Sequence, residues 1–453
     1  MRKAFSWILI KIIIFSIFIG IFWVNIKADL SDPDVLEPHK PICINGTENF
    51  TSENGVVSGI GSAEDPYIIE NWEIESNMSY GIEIKNSSAY FIIRNCWVHG
   101  GGYFYGGISL SNVTNGIIEN SRSSNNGNGL TIYLSSNNRI SNNDLSLNVN
   151  GIFISNSSNN NIFNNKIYNS WNGICSFSSS NNTYSNNDIY SNSQNGLELF
   201  FSSSDNIISE NDIYSNGNYG IYLWAESNRN EISHNNVRGN YYGVGFISSS
   251  NNTIYNNEIY ANSYTGIPLG MSSNNNTISS NSIYNNLYNG ISLYFNSNNN
   301  TIFNNSIYDN WDNGITLSLN SNNNSIYHNN FVNNLVGQAS DDGTNQWDNG
   351  YPSGGNYWSD YTGTDSDKDG IGDSSYDIPD GSNKDRYPLM VPISQDTNKS
   401  DQKEKPFFQQ YWWVLVVIIM VVVIFIIIMS SWKQRNRRNK KESFTTFWHF
   451  IMK

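Results

Sequence analysis

Asp365, Asp367, Asp369 and Asp373 alternate with small or polar residues in the run Asp-Ser-Asp-Lys-Asp-Gly-Ile-Gly-Asp. On a tight loop, carboxylates at this spacing point to one centre. D-x-D-x-D-G is the spacing of a calcium loop, in which hard oxygen donors suit a hard cation and Gly370 permits the sharp turn. The Ile371 carbonyl, Asp373 and Asp377 would extend the shell begun by Asp365, Asp367 and Asp369. The Glu expected at the twelfth loop position is absent: Tyr376 stands there and Asp377 follows. This is therefore a cation loop closed differently from an EF-hand, and calcium is the expected cofactor. Copper is not expected. His99, His234 and His328 are scattered through the coils, and Cys43, Cys96 and Cys175 lie far apart with no metal-ligand spacing. At most one pair of these cysteines can bridge, Cys43 to Cys96 being the pair considered.

Two other sets of side chains recur at fixed spacing. Asp144, Lys166, Asp188, Asp212, Asn236 and Glu258 occupy one equivalent position. If the period is structural, Asp188 and Asp212 sit one rung apart, near the roughly 5 Å of a retaining carboxylate pair. No second group converges on them in the sequence, so no catalytic residue is assigned. Two positions later come Tyr168, Tyr190, Tyr214, Tyr260, Tyr284 and Tyr308, with Arg238 interrupting. An exposed aromatic row can bind sugar rings by CH and π contacts; equally, Tyr simply favours exposed strand positions.

The elements that must position these groups follow from a repeat. Aligned on glycine, the copies run Gly81, Gly107, Gly129, Gly151, Gly173, Gly196, Gly220, Gly243, Gly266, Gly290, Gly314 and Gly337, at 22 to 24 residues after a first spacing of 26. Each copy carries three short apolar pairs rich in β-branched and aromatic residues, hence three short strands. A leucine-rich repeat would need a helical return, and no copy has a run of good helix formers. Asn, Ser and Gly fill the returns instead, and these make corners. In the glycine strand the residues one and three past Gly are apolar (Ile221 and Leu223, Ile291 and Leu293) while the residue between varies freely, so they alternate inside and outside. The expected fold is an all-β parallel β-helix of about 12 coils, roughly 55 to 60 Å long at sheet spacing, with N- and C-terminal caps. Three residues after the first strand's Ile an Asn recurs: Asn95, Asn120, Asn143, Asn165, Asn187, Asn211, Asn235, Asn257, Asn281, Asn305 and Asn329. Stacked about 4.8 Å apart, they are expected to form a structural ladder of side-chain amides.

Net charge is −14 over 453 residues; without the +4 of residues 1–28 and the +6 of 432–453, the middle carries −24. Such a surface does not suit nucleic acid. Residues 1–28, with Arg2 and Lys3 before a short apolar core, read as a signal peptide or an uncleaved N-terminal anchor. Residues 29–75 are the expected N-terminal cap and first strand, 76–337 the repeats, 338–392 a C-terminal cap with aromatics among glycines, and 393–410 a polar stalk. Residues 411–431 are apolar enough to span a bilayer, and the basic tail 432–453 is expected to stay inside. This places a single-pass protein in the cell membrane with its coils outside. Sequons such as those at Asn45 and Asn77 permit glycosylation but arise by chance in so Asn-rich a chain.

The rungs with N-N-T-I and I-Y-x-N, the opening GSAEDPYIIENWEI and the closing NQWDNG, GGNYWSDY, DSDKDGIGD and DRYPLM resemble archaeal surface proteins of the NosD-like, right-handed parallel β-helix family, over roughly residues 55–392. The resemblance implies a right-handed coil. It also implies roles described for such domains: periplasmic copper handling, carbohydrate binding or sugar hydrolysis. This chain lacks grouped copper ligands and a recognisable catalytic cluster. The expectation is a non-catalytic scaffold for polysaccharide or glycoprotein ligands, with a polysaccharide lyase or hydrolase and a metal-handling accessory factor as the alternatives.

Overall fold

The computed structural model describes residues 36–394. Three sheets of 13, 14 and 13 strands, parallel but for one end strand, close around one core, each coil's strands pairing with their counterparts one coil on. Sheet one holds the first strand of each coil (Thr253–Tyr255, for example), sheet two the second (Glu258–Tyr260) and sheet three the glycine strand (Ile267–Gly270). The central residue of each short strand is inside. Ile254, Ile259, Ile267 and Leu269 are all fully buried, as are their equivalents in the other coils. Two-residue periodicity on three faces thus produces a core column of Ile and Leu.

The register glycines are explained by space rather than by dihedral freedom, since none has positive φ. They stand where sheet two turns into sheet three. A Cβ on Gly266 would fall 2.7 Å from the Gly290 carbonyl oxygen and 2.9 Å from Ile283 Cγ2. The left-handed corners are made instead by Asn and Ser, as at Asn256 (φ 55) and Ser191 (φ 54). Asn suits such a site because its short polar side chain can bond locally.

The solenoid starts earlier than expected. Glu37–Pro38, Ile42–Asn45 and Tyr67–Glu70 already add strands to sheets two, three and one, because Ile42, Ile44 and Ile69 follow the same inward alternation. Capping falls to Val56–Ser58, which pairs antiparallel with Tyr67–Glu70 and ends sheet one. At the other end Trp347 and Trp358 close the last coil under the hairpin Tyr376–Asp377 with Lys384–Asp385. Three buried carboxylates key this lid. Asp341 accepts from Trp347 Nε1, Asn345 Nδ2 and Asn383 Nδ2, each at 2.8 Å. Asp385 accepts from Trp358 Nε1 and the Asn356 and Tyr387 amides, and Asp348 is held by Arg386 through both oxygens.

The expected signal or anchor segment, most of the stalk, the 411–431 span and the basic tail lie outside the described residues. Among the described residues no helix is long and apolar enough to cross a membrane. The three cysteines are all free: Cys43 is exposed, whereas Cys96 and Cys175 are buried.

Candidate functional site

The asparagine column follows the corner between sheets one and two. From Asn165 through Asn329 each member's Oδ1 receives the backbone N–H and the Nδ2 of the member before it, beginning with those of Asn143. Asn257 shows the pattern: its Oδ1 accepts Asn235 N at 2.8 Å and Nδ2 at 3.0 Å, while its Nδ2 donates to Asn281 Oδ1, Ile232 O and Tyr255 O. Asn95 and Asn120 are not in the column. Both are left-handed corner residues, and the column positions beside them belong to Cys96 and Ser121. The cause is a one-residue register slip, which exchanges the two faces of a strand. Ile92 and Ile117 point outward, whereas Ile93 and Ile118 are the buried residues from which the count of three should start. Two more buried amide columns went unnoticed in the sequence. One runs from Asn138 through Asn160 and Asn182 to Asn345, the other from Asn126 through Asn148, Ser170 and Asn192 to Asn334. Their signal was an Asn or Ser directly after each left-handed corner residue, at Asn138, Asn182 and Asn252 the second Asn of an N-N pair.

On the outer face of sheet two the tyrosines stack rung upon rung. Tyr168, Tyr190 and Tyr214 lie 5.1 and 4.9 Å apart with ring planes within 5°, and Tyr260, Tyr284 and Tyr308 lie 4.7 and 4.8 Å apart. Arg238 covers Tyr214 at 4.4 Å. The ring faces therefore meet one another, and the row presents edges and phenol oxygens to solvent. Within each triplet, Tyr168–Tyr190–Tyr214 and Tyr260–Tyr284–Tyr308, the inner ring faces are thus taken up by neighbouring tyrosines.

Asp188 and Asp212 are direct register partners at the start of the same strands, and other groups do converge on them. Arg238 binds both oxygens of Asp212. The Tyr214 phenol stands near Asp188, whose carboxyl is raised above its ordinary range by burial and then by Asp212. Burial likewise raises Asp144, against the pull of Lys166. The sequence could not show this grouping, because Arg238 reads only as an interruption of the Tyr row.

In the cation loop, Asp365, Asp367 and Asp369 each offer an oxygen within 4.8 Å of the others. Three hard donors at that separation fit a calcium ion, whose ligands lie about 2.3 to 2.6 Å from the metal. Burial and then Asp369 raise the Asp367 carboxyl, the effect expected when like charges crowd without a counter-ion. The outer members are elsewhere. One oxygen of Asp373 is bonded to Ser366 N, Ser366 Oγ and Thr364 Oγ1 and closes the loop. Asp377 pairs with Lys384 at 2.8 Å in the hairpin. Asp373 and Asp377 thus serve the loop and the lid, and neither belongs to the three-carboxylate group. Nor are the histidines gathered: His99 bonds Glu73, His234 bonds Asn256 and His328 bonds Ser353.

A second set of exposed aromatic side chains lies at the corner where sheet two turns into sheet three. There the residue after the third column's Asn or Ser points to solvent: Trp171, 55% exposed, and Trp311, 61% exposed, with Tyr241 and Leu287 between them. Tyr264 and Tyr288 stand beside this line and stack at 4.4 Å. Sequence reasoning missed it because the position varies from Val149 to Ser193 to Gly217 and shows no periodic residue type.

Two family descriptions match the chain: "Periplasmic copper-binding protein (NosD)" over residues 172–363, and "Right handed beta helix region" over 42–189. Among solved structures, a double mutant of the periplasmic alginate epimerase AlgG is 16% identical over 68% of this chain and 84% of its own, with a TM-score of 0.47. The A-module of Azotobacter vinelandii mannuronan C-5 epimerase AlgE6 is 14% identical over 62% and 87%, with a TM-score of 0.40. The Dettilon tailspike protein is 16% identical over 53% and 59%, with a TM-score of 0.40. Curated proteins give no match. Residues 172–363 are thus similar to NosD, and residues 42–189 to a right-handed β-helix region.

Proposed function

We propose that the chain is a membrane-anchored cell-surface scaffold that binds polysaccharide or glycoprotein glycans without turning them over. The observation that carries this reading is the set of solvent-exposed rings Trp171, Tyr241 and Trp311, spaced three rungs apart along one corner. Aromatic faces left in water on a rigid frame are costly unless a ligand covers them, and sugar rings present flat CH faces to do so. Rungs about 4.8 Å apart would let one extended glycan run along the corner and meet several rings. In this reading residues 1–28 export the chain, 411–431 anchor it with the tail inside, and Asp365, Asp367 and Asp369 hold calcium to stiffen the lid. The cation would supply charge neutralisation there and take no part in ligand chemistry.

A second reading, a polysaccharide lyase or hydrolase, is favoured by the grouping of Asp188, Asp212, Tyr214 and Arg238. The two separate in one experiment. The full chain is incubated with neutral and acidic polysaccharides, and both retention and product release are measured. Retention that weakens in Trp311→Ala, with no new reducing ends or unsaturated products, is expected. Product release that disappears in Asp188→Asn would replace the scaffold reading with the enzymatic one.

A further inference from the structure

The 26-residue spacing between Gly81 and Gly107 inserts a loop, Gly100 to Gly106, at the aromatic corner. Its base is fixed. Gly101 N donates to Asn126 Oδ1, Gly102 N to Asn125 O, and Gly127 N to Tyr105 O, all at 2.8 to 2.9 Å. Gly127 occupies the corner position that holds Val149 and Trp171 in the next two coils. A Cβ there would fall 2.7 Å from Tyr103 O, so a side chain would lift the loop. The result is a cleft of about 550 Å³ between Tyr103 and Trp171, with Asn126, Asn148 and Val149 along its base. The walls are three rungs apart, about 14 Å at strand spacing.

Nothing lining this cleft is charged. The Asn126 and Asn148 amides are spent within the columns, on Val98 O and Ser123 O. Asn125, on the rim, is exposed, and among the described residues its carboxamide has no partner. Two aromatic walls, a base of Leu147 and Val149 beside amides already bonded within the columns, and one free amide suit a small, polar but uncharged ring compound. The surrounding acidic chain repels polyanions.

We propose that this cleft is the end subsite of the corner and takes about two residues of a neutral polysaccharide, Tyr103 and Trp171 each covering a sugar face and Asn125 bonding hydroxyls. The assignment rests on the glycan-binding reading. Its test uses the full chain, titrated with neutral cello-, manno- and xylo-oligosaccharides of two to about ten residues, long enough to span the roughly 29 Å of six rungs from Trp171 to Trp311, and with oligo-uronates of equal length. Trp171→Ala and Tyr103→Ala should each weaken binding of the short neutral oligomers by about tenfold, with melting temperature unchanged because both side chains are exposed. Trp311→Ala should leave the dimers unaffected and weaken only the longer oligomers. If Trp171→Ala keeps the parent affinity while Trp311→Ala loses it, the cleft assignment falls and the glycan reading survives. Preference for the oligo-uronates overturns the neutral class, and no binding to any oligomer overturns both.

Discussion

Replacing Asn257 by Ala is expected to cost about 3 to 5 kcal/mol. The estimate comes from the bonds the side chain makes. Its removal leaves the buried Asn235 N–H without a partner, takes one acceptor from Asn235 Nδ2, and takes one of two donors from the Ile232 and Tyr255 carbonyls, which keep backbone partners across the sheet. Each buried group left unsatisfied costs about 1 to 3 kcal/mol, more than the net worth of the bond it had. One such group, together with three further lost bonds at about 0.5 to 1.5 kcal/mol net each, gives the range. Because a coil touches only its neighbours, the damage should be local. Native-state hydrogen exchange at the Asn235 amide should therefore quicken by about a hundredfold or more, taking 1.36 kcal/mol per tenfold, while amides beyond the adjoining coils keep their rates. Urea unfolding monitored by circular dichroism supplies the global figure. Asn120→Gly is the matched control: Asn120 is a left-handed corner residue outside the column, where Gly carries no steric penalty, so stability should change by less than about 1 kcal/mol. If Asn257→Ala loses less than about 1 kcal/mol and Asn235 exchange is unchanged, the columns are mere packing and the reasoning fails.

Asp385 gives a pH dependence. Burial pushes its carboxyl up to about 6, against the three N–H groups that favour its charge. The folded lid thus holds this proton more tightly than the unfolded chain. The contribution is fully present below about pH 4 and is lost as pH rises to about 6, up to about 3 kcal/mol. Relative to the parent, Asp385→Asn should flatten lid unfolding between pH 4 and 7 as followed by Tyr387 amide exchange; identical slopes would exclude this carboxyl as the source. Millimolar calcium should raise the melting temperature, by up to about 2.7 kcal/mol of stability at a hundredfold excess over Kd, and Asp367→Ala with Asp369→Ala should abolish the response. Among Cys43, Cys96 and Cys175, a thiol reagent should reach only exposed Cys43 in the native state: burial pushes Cys96 up to about 11 and raises Cys175 as well. Rapid labelling of Cys175 without denaturant would contradict the closed core.

The coils were legible because three kinds of signal agreed: glycine period, inward Ile and Leu, and polar corners. Where an outer strand position also holds Ile, as at Ile92 and Ile117, alternation alone is ambiguous, and this moved Asn95 and Asn120 into the wrong row. The Tyr row was legible as a row, but its rings' orientation is set by stacking across rungs, a long-range effect that no spacing reveals. The Asp-rich loop divided in the same way: Asp365, Asp367 and Asp369 cluster as their spacing says, whereas Asp373 and Asp377 found hydroxyl and Lys partners. The exposed corner was illegible because binding surfaces need no periodicity, only a place on the frame.

The amide columns also have a direction. In each, N–H groups of one coil are handed to an oxygen of the next, so the donors run one way and the last coil must find acceptors beyond the repeats. Two columns do: Asn356 N ends on Asp385, and Asn345 Nδ2 on Asp341. Every internal coil receives and passes on the same set of bonds. A whole coil can then be inserted or deleted between Asn165 and Asn305 without orphaning a donor, whereas the lid cannot be exchanged for another coil. The molecule is built as a counter of variable length with a fixed terminator.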